Sequence, residues 1–197
     1  MTDDHVDSGR RRLLTVATTT VGLAGAVGLA IPFAGSLSPS EKAKAAGAPV
    51  KVDISKLEAG QQITVEWRGK PVWIIKRSQE MLDELSGLNG ILSDPDSDVG
   101  QQPEYAQNPH RSINEEVLVL VGICTHLGCS PAYQPDIGPA TFDSNWKGGF
   151  LCACHGSKFD MAGRVYSGVP APTNLVVPPH QYLSDTEILV GDDGGVA

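Results

Sequence analysis

Cys124-Thr125-His126-Leu127-Gly128-Cys129 and Cys152-Ala153-Cys154-His155-Gly156-Ser157 hold all four cysteines and two of the five histidines of this 197-residue chain. Each box offers one thiolate and one imidazole at close spacing, with one cysteine to spare. Two cysteines and two histidines are the ligand set of a 2Fe-2S centre with thiolates on one iron and imidazoles on the other. The two remaining cysteines are free to pair as a disulfide. Zinc also takes four tetrahedral nitrogen and sulfur ligands, and the boxes offer six candidates. The C-x-H-x2-C and C-x-C-H spacings are unusual for a zinc finger. Two plain disulfides without a metal would leave both histidines without a role.

C-T-H-L-G-C followed by C-x-C-H-G-S resembles the Rieske iron–sulfur subunits of ubiquinol–cytochrome c reductase (cytochrome bc) complexes. Asn108-Pro109-His110-Arg111-Ser112, Asn145-Trp146-Lys147-Gly148-Gly149-Phe150 and Gly168-Val169-Pro170-Ala171-Pro172 extend the resemblance over most of the chain. It implies Cys124, His126, Cys152 and His155 as ligands of one Rieske 2Fe-2S cluster, and a disulfide between Cys129 and Cys154. Ser157 is then expected to donate its hydroxyl to a bridging sulfide, and Leu127 to shield the cluster. Gly168, Pro170, Ala171 and Pro172 are expected to cover it from another side. Gly128 and Gly156 are expected to let backbone approach closely without a side-chain clash. His155 is expected to accept a hydrogen bond from bound quinol and couple proton to electron transfer.

The implied partners are a cytochrome b subunit, a cytochrome c-type haem subunit and ubiquinol, within a dimeric membrane complex. The electron is taken from ubiquinol at the cytochrome b interface and passed to the c-type haem, with proton release. Two departures stand out. Ala153 occupies a position where many relatives carry Pro. Phe159 stands where many carry a Tyr whose hydroxyl donates to a ligand sulfur, which here would be that of Cys124.

The ligand types suit that chemistry. Neutral imidazoles replace anionic thiolates on one iron, so the centre carries less negative charge and is more easily reduced. Rieske centres span about −150 to +300 mV, against about −400 mV for plant-type ferredoxins. Quinol is a weak reductant and needs an oxidant in the upper part of that range. Hydrogen bonds to the sulfurs raise the potential further.

The N-terminus carries the second signal. Arg10-Arg11-Arg12 precedes Leu13 to Gly35, an uncharged stretch of 23 residues. As a helix it runs roughly 34 Å, enough for a hydrocarbon core of about 30 Å. Arginines before a span predict a cytoplasmic N-terminus, and the paired arginines resemble a twin-arginine export signal. The expectation is a single-pass protein of the bacterial inner membrane with a periplasmic head, where a disulfide persists. Ala43-Lys44-Ala45 resembles a cleavage site, but the apolar stretch exceeds a signal peptide's usual core, which favours an uncleaved anchor. The expected organisation is a tail over 1–12, an anchor over 13–35, a linker or hinge over 36–49 and a head over 50–197.

The chain carries a net charge of −8, and residues 50–197 hold 10 Lys/Arg against 19 Asp/Glu, or −9. That balance speaks against a nucleic-acid partner. His5, His110 and His180 sit in a polar tail or beside prolines and read as structural or solvated.

Within the head, 62–67 and 71–77 read as a hairpin around Arg68-Gly69-Lys70, and 79–85 as a helix. Residues 89–114 read as a long loop, 116–123 as an apolar strand entering the first box, and 149–152 as the entry to the second. Residues 175–177, 181–183 and 187–190 read as terminal strands. The predicted class is mainly β: a transmembrane helix, then an antiparallel β-sandwich with an inserted cluster-binding subdomain at about 120–172. Three other functions compete. A Rieske small subunit of another exported oxidoreductase, such as arsenite oxidase, would not need the 143–150 and 168–172 motifs. A soluble Rieske ferredoxin would lack Cys129, Cys154 and the anchor. A zinc-stabilised secreted module would not be redox-active.

Overall fold

The structure, a computed structural model, describes residues 7–195; residues 1–6, with His5, and residues 196–197 lie outside them. Two compact units divide between Ala45 and Ala46.

In the first unit, helix α1 spans Ser8–Ser36, every residue exposed. It begins five residues before the expected anchor because Asp7 caps it, accepting from the backbone N–H groups of Gly9 and Arg10. The arginines therefore form its first turns. Thr15, Thr18 and Thr20 donate their hydroxyls to backbone carbonyls one turn earlier. Such back-bonding satisfies polar groups that lipid would not.

The expected linker is partly helical. α2 spans Glu41–Ala46. Ser40 accepts from the Ala43 N–H at 3.2 Å and Lys44 pairs with Glu41 at 2.7 Å. Alanine, lysine and glutamate favour helix, which a reading from linker composition overlooks.

The second unit is built from three antiparallel sheets. Strands β1 (Val50–Asp53), β9 (Glu187–Val190) and β8 (His180–Ser184) form one, in that spatial order. β2 (Gln62–Trp67), β3 (Lys70–Lys76) and β4 (Val117–Val121) form the second. β5 (Ala132–Ala140), β6 (Asp143–Cys152) and β7 (Ser157–Phe159) form the third. The β2–β3 hairpin turns on Arg68 and Gly69, at φ 52° and 70°. Two left-handed residues in a two-residue loop match the strand twist.

The second sheet is the shared wall. Val72 and Ile74 of β3, with Val117 and Val119 of β4, pack against Val52, Ile188 and Val190 of the first sheet. Their neighbours Trp73, Ile75, Leu118 and Leu120 face the other way, onto Phe150 and Phe159 of the third sheet. Side chains alternate across a strand, so a sheet covered on both faces needs an unbroken apolar run. Val117–Val121 is that run, every residue buried. Helix α3 (Gln79–Leu85), capped by Ser78, adds Met81, Leu82 and Leu85 to the second core.

Two expectations are corrected. Residues 175–177 form no strand, because their backbone groups go to different partners. The Leu175 N–H donates to Gly163 O, Val176 O accepts from the Val121 N–H, and the Val177 N–H donates to Gln101 O. The expected loop over 89–114 is entered by a 3-10 turn, Ser86–Ile91, and contains another, Glu104–Ala106. The long β5–β6 hairpin and β7 went unpredicted: β5 carries Pro135, Gly138 and Pro139, and its register is broken by bulges.

Candidate metal centre

The first box leaves β4 at Gly122, where a Cβ would collide with the Trp73 indole. The chain then makes a loop closed by two backbone bonds, Gly128 N–H to Cys124 O at 3.1 Å and Cys124 N–H to Cys129 O at 2.7 Å. The second box turns between β6 and β7, closed by Gly156 N–H to Cys152 O at 2.9 Å. The two loops share one design: a cysteine at the base, and a glycine four residues on that closes the turn with φ 85° or 78°. A Cβ on Gly128 or Gly156 would meet nothing within 4 Å. Both glycines also have a left-handed backbone, which glycine adopts at no steric cost.

Cys124 and Cys152 are free, each 2% exposed, at the floor of the loops. The imidazoles on the same loops are less buried. His126 is half-buried and His155 exposed, with ring centroids 4.7 Å apart in an edge-to-face arrangement. Cys129 and Cys154 are joined by a disulfide that ties the loops together. The sulfurs of Cys129, Cys152 and Cys154 lie within 4.8 Å of one another, but two of them are committed to that bond, so this trio holds no metal. Leu127 is 72% exposed and projects outward at the tip of the first loop.

A third segment closes one side. Ala171, buried, donates its N–H to Ser157 Oγ at 3.0 Å, while Pro170, Pro172 and Gly168 are exposed. Thr125 Oγ1 donates to Thr173 O at 2.7 Å, a link between first loop and third that the sequence reading missed. Its signal was a hydroxyl residue set between Cys124 and His126. Phe159 is fully buried, in register with Phe150.

The donors fit a cluster bound by two sulfurs and two nitrogens. Burial pushes the Cys124 thiol up; the His126 N–H opposes this, the neighbouring Cys152 adds to it, and the Ser157 hydroxyl opposes it. A buried thiol pair on the same loops as two less buried imidazoles gains from a cation that takes both thiolates. Sulfur donors lie inside and nitrogen donors outside, as a centre with differently ligated irons requires.

The sequence from residue 49 to 179 matches the family described as "Rieske [2Fe-2S] domain". Residues 1–40 match "Ubiquitinol-cytochrome C reductase Fe-S subunit TAT signal". The "Ubiquinol-cytochrome c reductase iron-sulfur subunit" of Allochromatium vinosum is 57% identical, with 100% of this chain and 95% of the relative covered. This chain belongs to the Rieske iron–sulfur subunits of ubiquinol–cytochrome c reductase. The namesake subunit of Bradyrhizobium diazoefficiens is 42% identical, covering 92% of this chain and 94% of its own. A solved chain titled "Hyperthermophilic respiratory Complex III" has 25% identity and a TM-score of 0.48, over 88% of this chain and 98% of its own; the assignment does not rest on it. As a Rieske subunit, the chain carries a 2Fe-2S cofactor and serves electron transfer in the reductase. The export signal and α1 fit a membrane-anchored, exported subunit.

Proposed function

We propose that Cys124 and Cys152 hold one iron and His126 and His155 the other, and that this head oxidises ubiquinol at a cytochrome b subunit and reduces a cytochrome c-type haem subunit. When bound, the cluster supplies a one-electron acceptor whose potential the two neutral imidazoles raise. The observation that carries this reading is the pair of imidazoles, 4.7 Å apart, on the same two loops that hold two buried free thiols.

The chain's residues divide the work. His155, at the exposed rim, accepts a hydrogen bond from a quinol hydroxyl on the ring nitrogen that ligation leaves free, and takes up the proton there. Leu127 gives the tip an apolar contact for the partner. The Ser157 hydroxyl and the His126 N–H both favour the charged form of the Cys124 thiol, and groups that do so favour the more negative, reduced state. The disulfide and the Gly168–Pro172 segment hold the two loops and limit water. Residues 13–35 anchor the chain, residues 36–49 tether the head, and the arginines of residues 10–12 keep the N-terminus cytoplasmic. The head then faces the periplasm from the bacterial inner membrane, in a dimeric complex.

Detergent extraction tests the assignment. Co-purification with b- and c-type haem, together with the low-temperature EPR signal of a reduced Rieske centre, is the expected result. A haem-free preparation containing molybdenum would point instead to a small subunit of an enzyme such as arsenite oxidase. For the ligands, His155→Cys and His126→Cys should each change the EPR signature, while Cys129→Ser should leave its type unchanged. An unchanged signature in both histidine variants would refute the ligand set.

A further inference from the structure

Three arginines are buried in the head: Arg77 at 2% exposure, Arg111 and Arg164 at 0%. Among the described residues Asp160 is the only buried carboxylate. Arg164 takes it, at 2.7 Å. Arg77 and Arg111 receive no carboxylate. Arg77 donates to the carbonyls of Glu115, His110 and Met161 and to the Ser112 hydroxyl. Arg111 donates to the carbonyls of Ala162, Gly163 and Leu175 and to Gln102 Oε1. Burial pushes both guanidinium groups down to about 10, so each stays charged at neutral pH.

All three converge on Asp160–Arg164, the loop that follows β7. Arg111 holds its place with a left-handed backbone, φ 52°. A fully buried, non-glycine residue in that conformation is costly and persists only where its surroundings insist. Buried charges are normally paired. Here Asp160 acts on both guanidinium groups, Glu115 on Arg77 and Asp94 on Arg111, but none of them contacts either one; their bonds run to Met161 and Ala162, residues of the core that also holds Cys124 and Cys152. The Leu120 side chain and the Arg111 guanidinium both border the space a Cβ on Gly163 would fill. Leu120 is four residues before Cys124, a chain span of at most about 14 Å.

We infer that Arg77 and Arg111 are positioning residues that also act electrostatically. They clamp the Asp160–Arg164 loop, whose Met161 and Ala162 share a core with Cys124 and Cys152, and their charge, which no carboxylate contacts, favours the reduced state of the metal centre. This rests on the 2Fe-2S reading above.

Gln102 separates charge from clamp. Its Oε1 accepts from Arg111 Nη2 at 2.9 Å, and Gln102→Glu keeps that acceptor while placing a negative charge beside the guanidinium. It forfeits donor bonds to Ser97 O and Val99 O, a loss that registers in stability. Arg111→Lys does the reverse, keeping the charge and losing the fork. The full chain in its complex is titrated by EPR at neutral pH, with thermal melting alongside. We expect Gln102→Glu to shift the oxidised-to-reduced ratio toward oxidised by about fivefold at fixed potential, the effect of unit charges about 17 Å apart in an effective dielectric of about 20. We expect Arg111→Lys to lower the melting temperature with little change in potential. A Gln102→Glu variant with a normal EPR signal and an unchanged potential overturns the inference. If Arg111→Lys does not assemble, Gln102→Glu alone decides. Loss of the Rieske signal from the unmodified chain would instead overturn the cluster reading.

Discussion

Replacing Ser157 with Ala tests two consequences of one hydroxyl. Ser157 is fully buried, and its Oγ accepts the Ala171 N–H at 3.0 Å. Ala171 is itself only 4% exposed, so the substitution leaves a buried amide without its partner. Such an amide costs about 1–3 kcal/mol. In a head of this size each kcal/mol is worth about 2–4 °C, so a loss of about 2 kcal/mol lowers Tm by about 4–8 °C. The same hydroxyl favours the charged form of the Cys124 thiol, against the larger effect of burial. If the reduced state loses about 1 kcal/mol more than the oxidised one, the midpoint falls by on the order of 40 mV, at about 59 mV per tenfold for one electron. EPR-monitored redox titration reads the second effect and calorimetry the first. A lower Tm with an unchanged midpoint would mean that the hydroxyl serves only Ala171. No change in either would refute the reasoning altogether.

Opening the Cys129–Cys154 bond with Cys129→Ser should cost about 3.5 kcal/mol, from the chain entropy of its 25-residue separation. A melting temperature within a degree of the parent's would contradict that. Phe159→Tyr should raise the midpoint by tens of millivolts if the new hydroxyl reaches the Cys124 sulfur; an equal or lower value counts against Phe159 as a tuning position. His180, 1% exposed, is held below the ordinary histidine range chiefly by burial, against the opposing pull of the Pro178 carbonyl and Asp193. The unfolded chain takes up a proton near pH 6.5 that folded His180 refuses until lower pH. Stability should therefore fall as pH drops below about 6.5 and level off below the folded value. His180→Gln should flatten that arm of the Tm profile. The slope should shrink without vanishing, because His110 is lowered in the same way; an unaltered slope would exclude His180.

The site was legible because its chemistry is dense. All four cysteines and two histidines fall in twelve residues, and few arrangements employ them all. The β2–β3 hairpin, α3 and the apolar β4 were legible from period and turn residues. β5 was not, because its prolines, glycine and bulges break the alternation that marks a strand. The stretch 175–177 misled in the opposite sense: it is apolar and β-branched, yet no single neighbouring strand takes up its backbone bonds. The buried arginines were invisible, since a guanidinium in a core reads as surface until its carbonyl partners, distant in sequence, are seen. The left-handed backbone of the two closing glycines was not legible either. Sequence shows that a Cβ is missing, but not whether space or φ requires it.

The double-faced β2–β3–β4 sheet has a consequence for how the head comes apart. Its alternate residues line two cores, so neither can dissolve while the other stays dry. Calorimetry of the head should give one endotherm, with equal van't Hoff and calorimetric enthalpies, although the metal-binding loops have their own small sheet. Hydrogen exchange should find its slowest amides in Val72–Ile75 and Leu118–Val121. Cys124 and Cys152, packed in the second of those cores, would then be uncovered together with the rest of it, while the exposed loop tips open on their own.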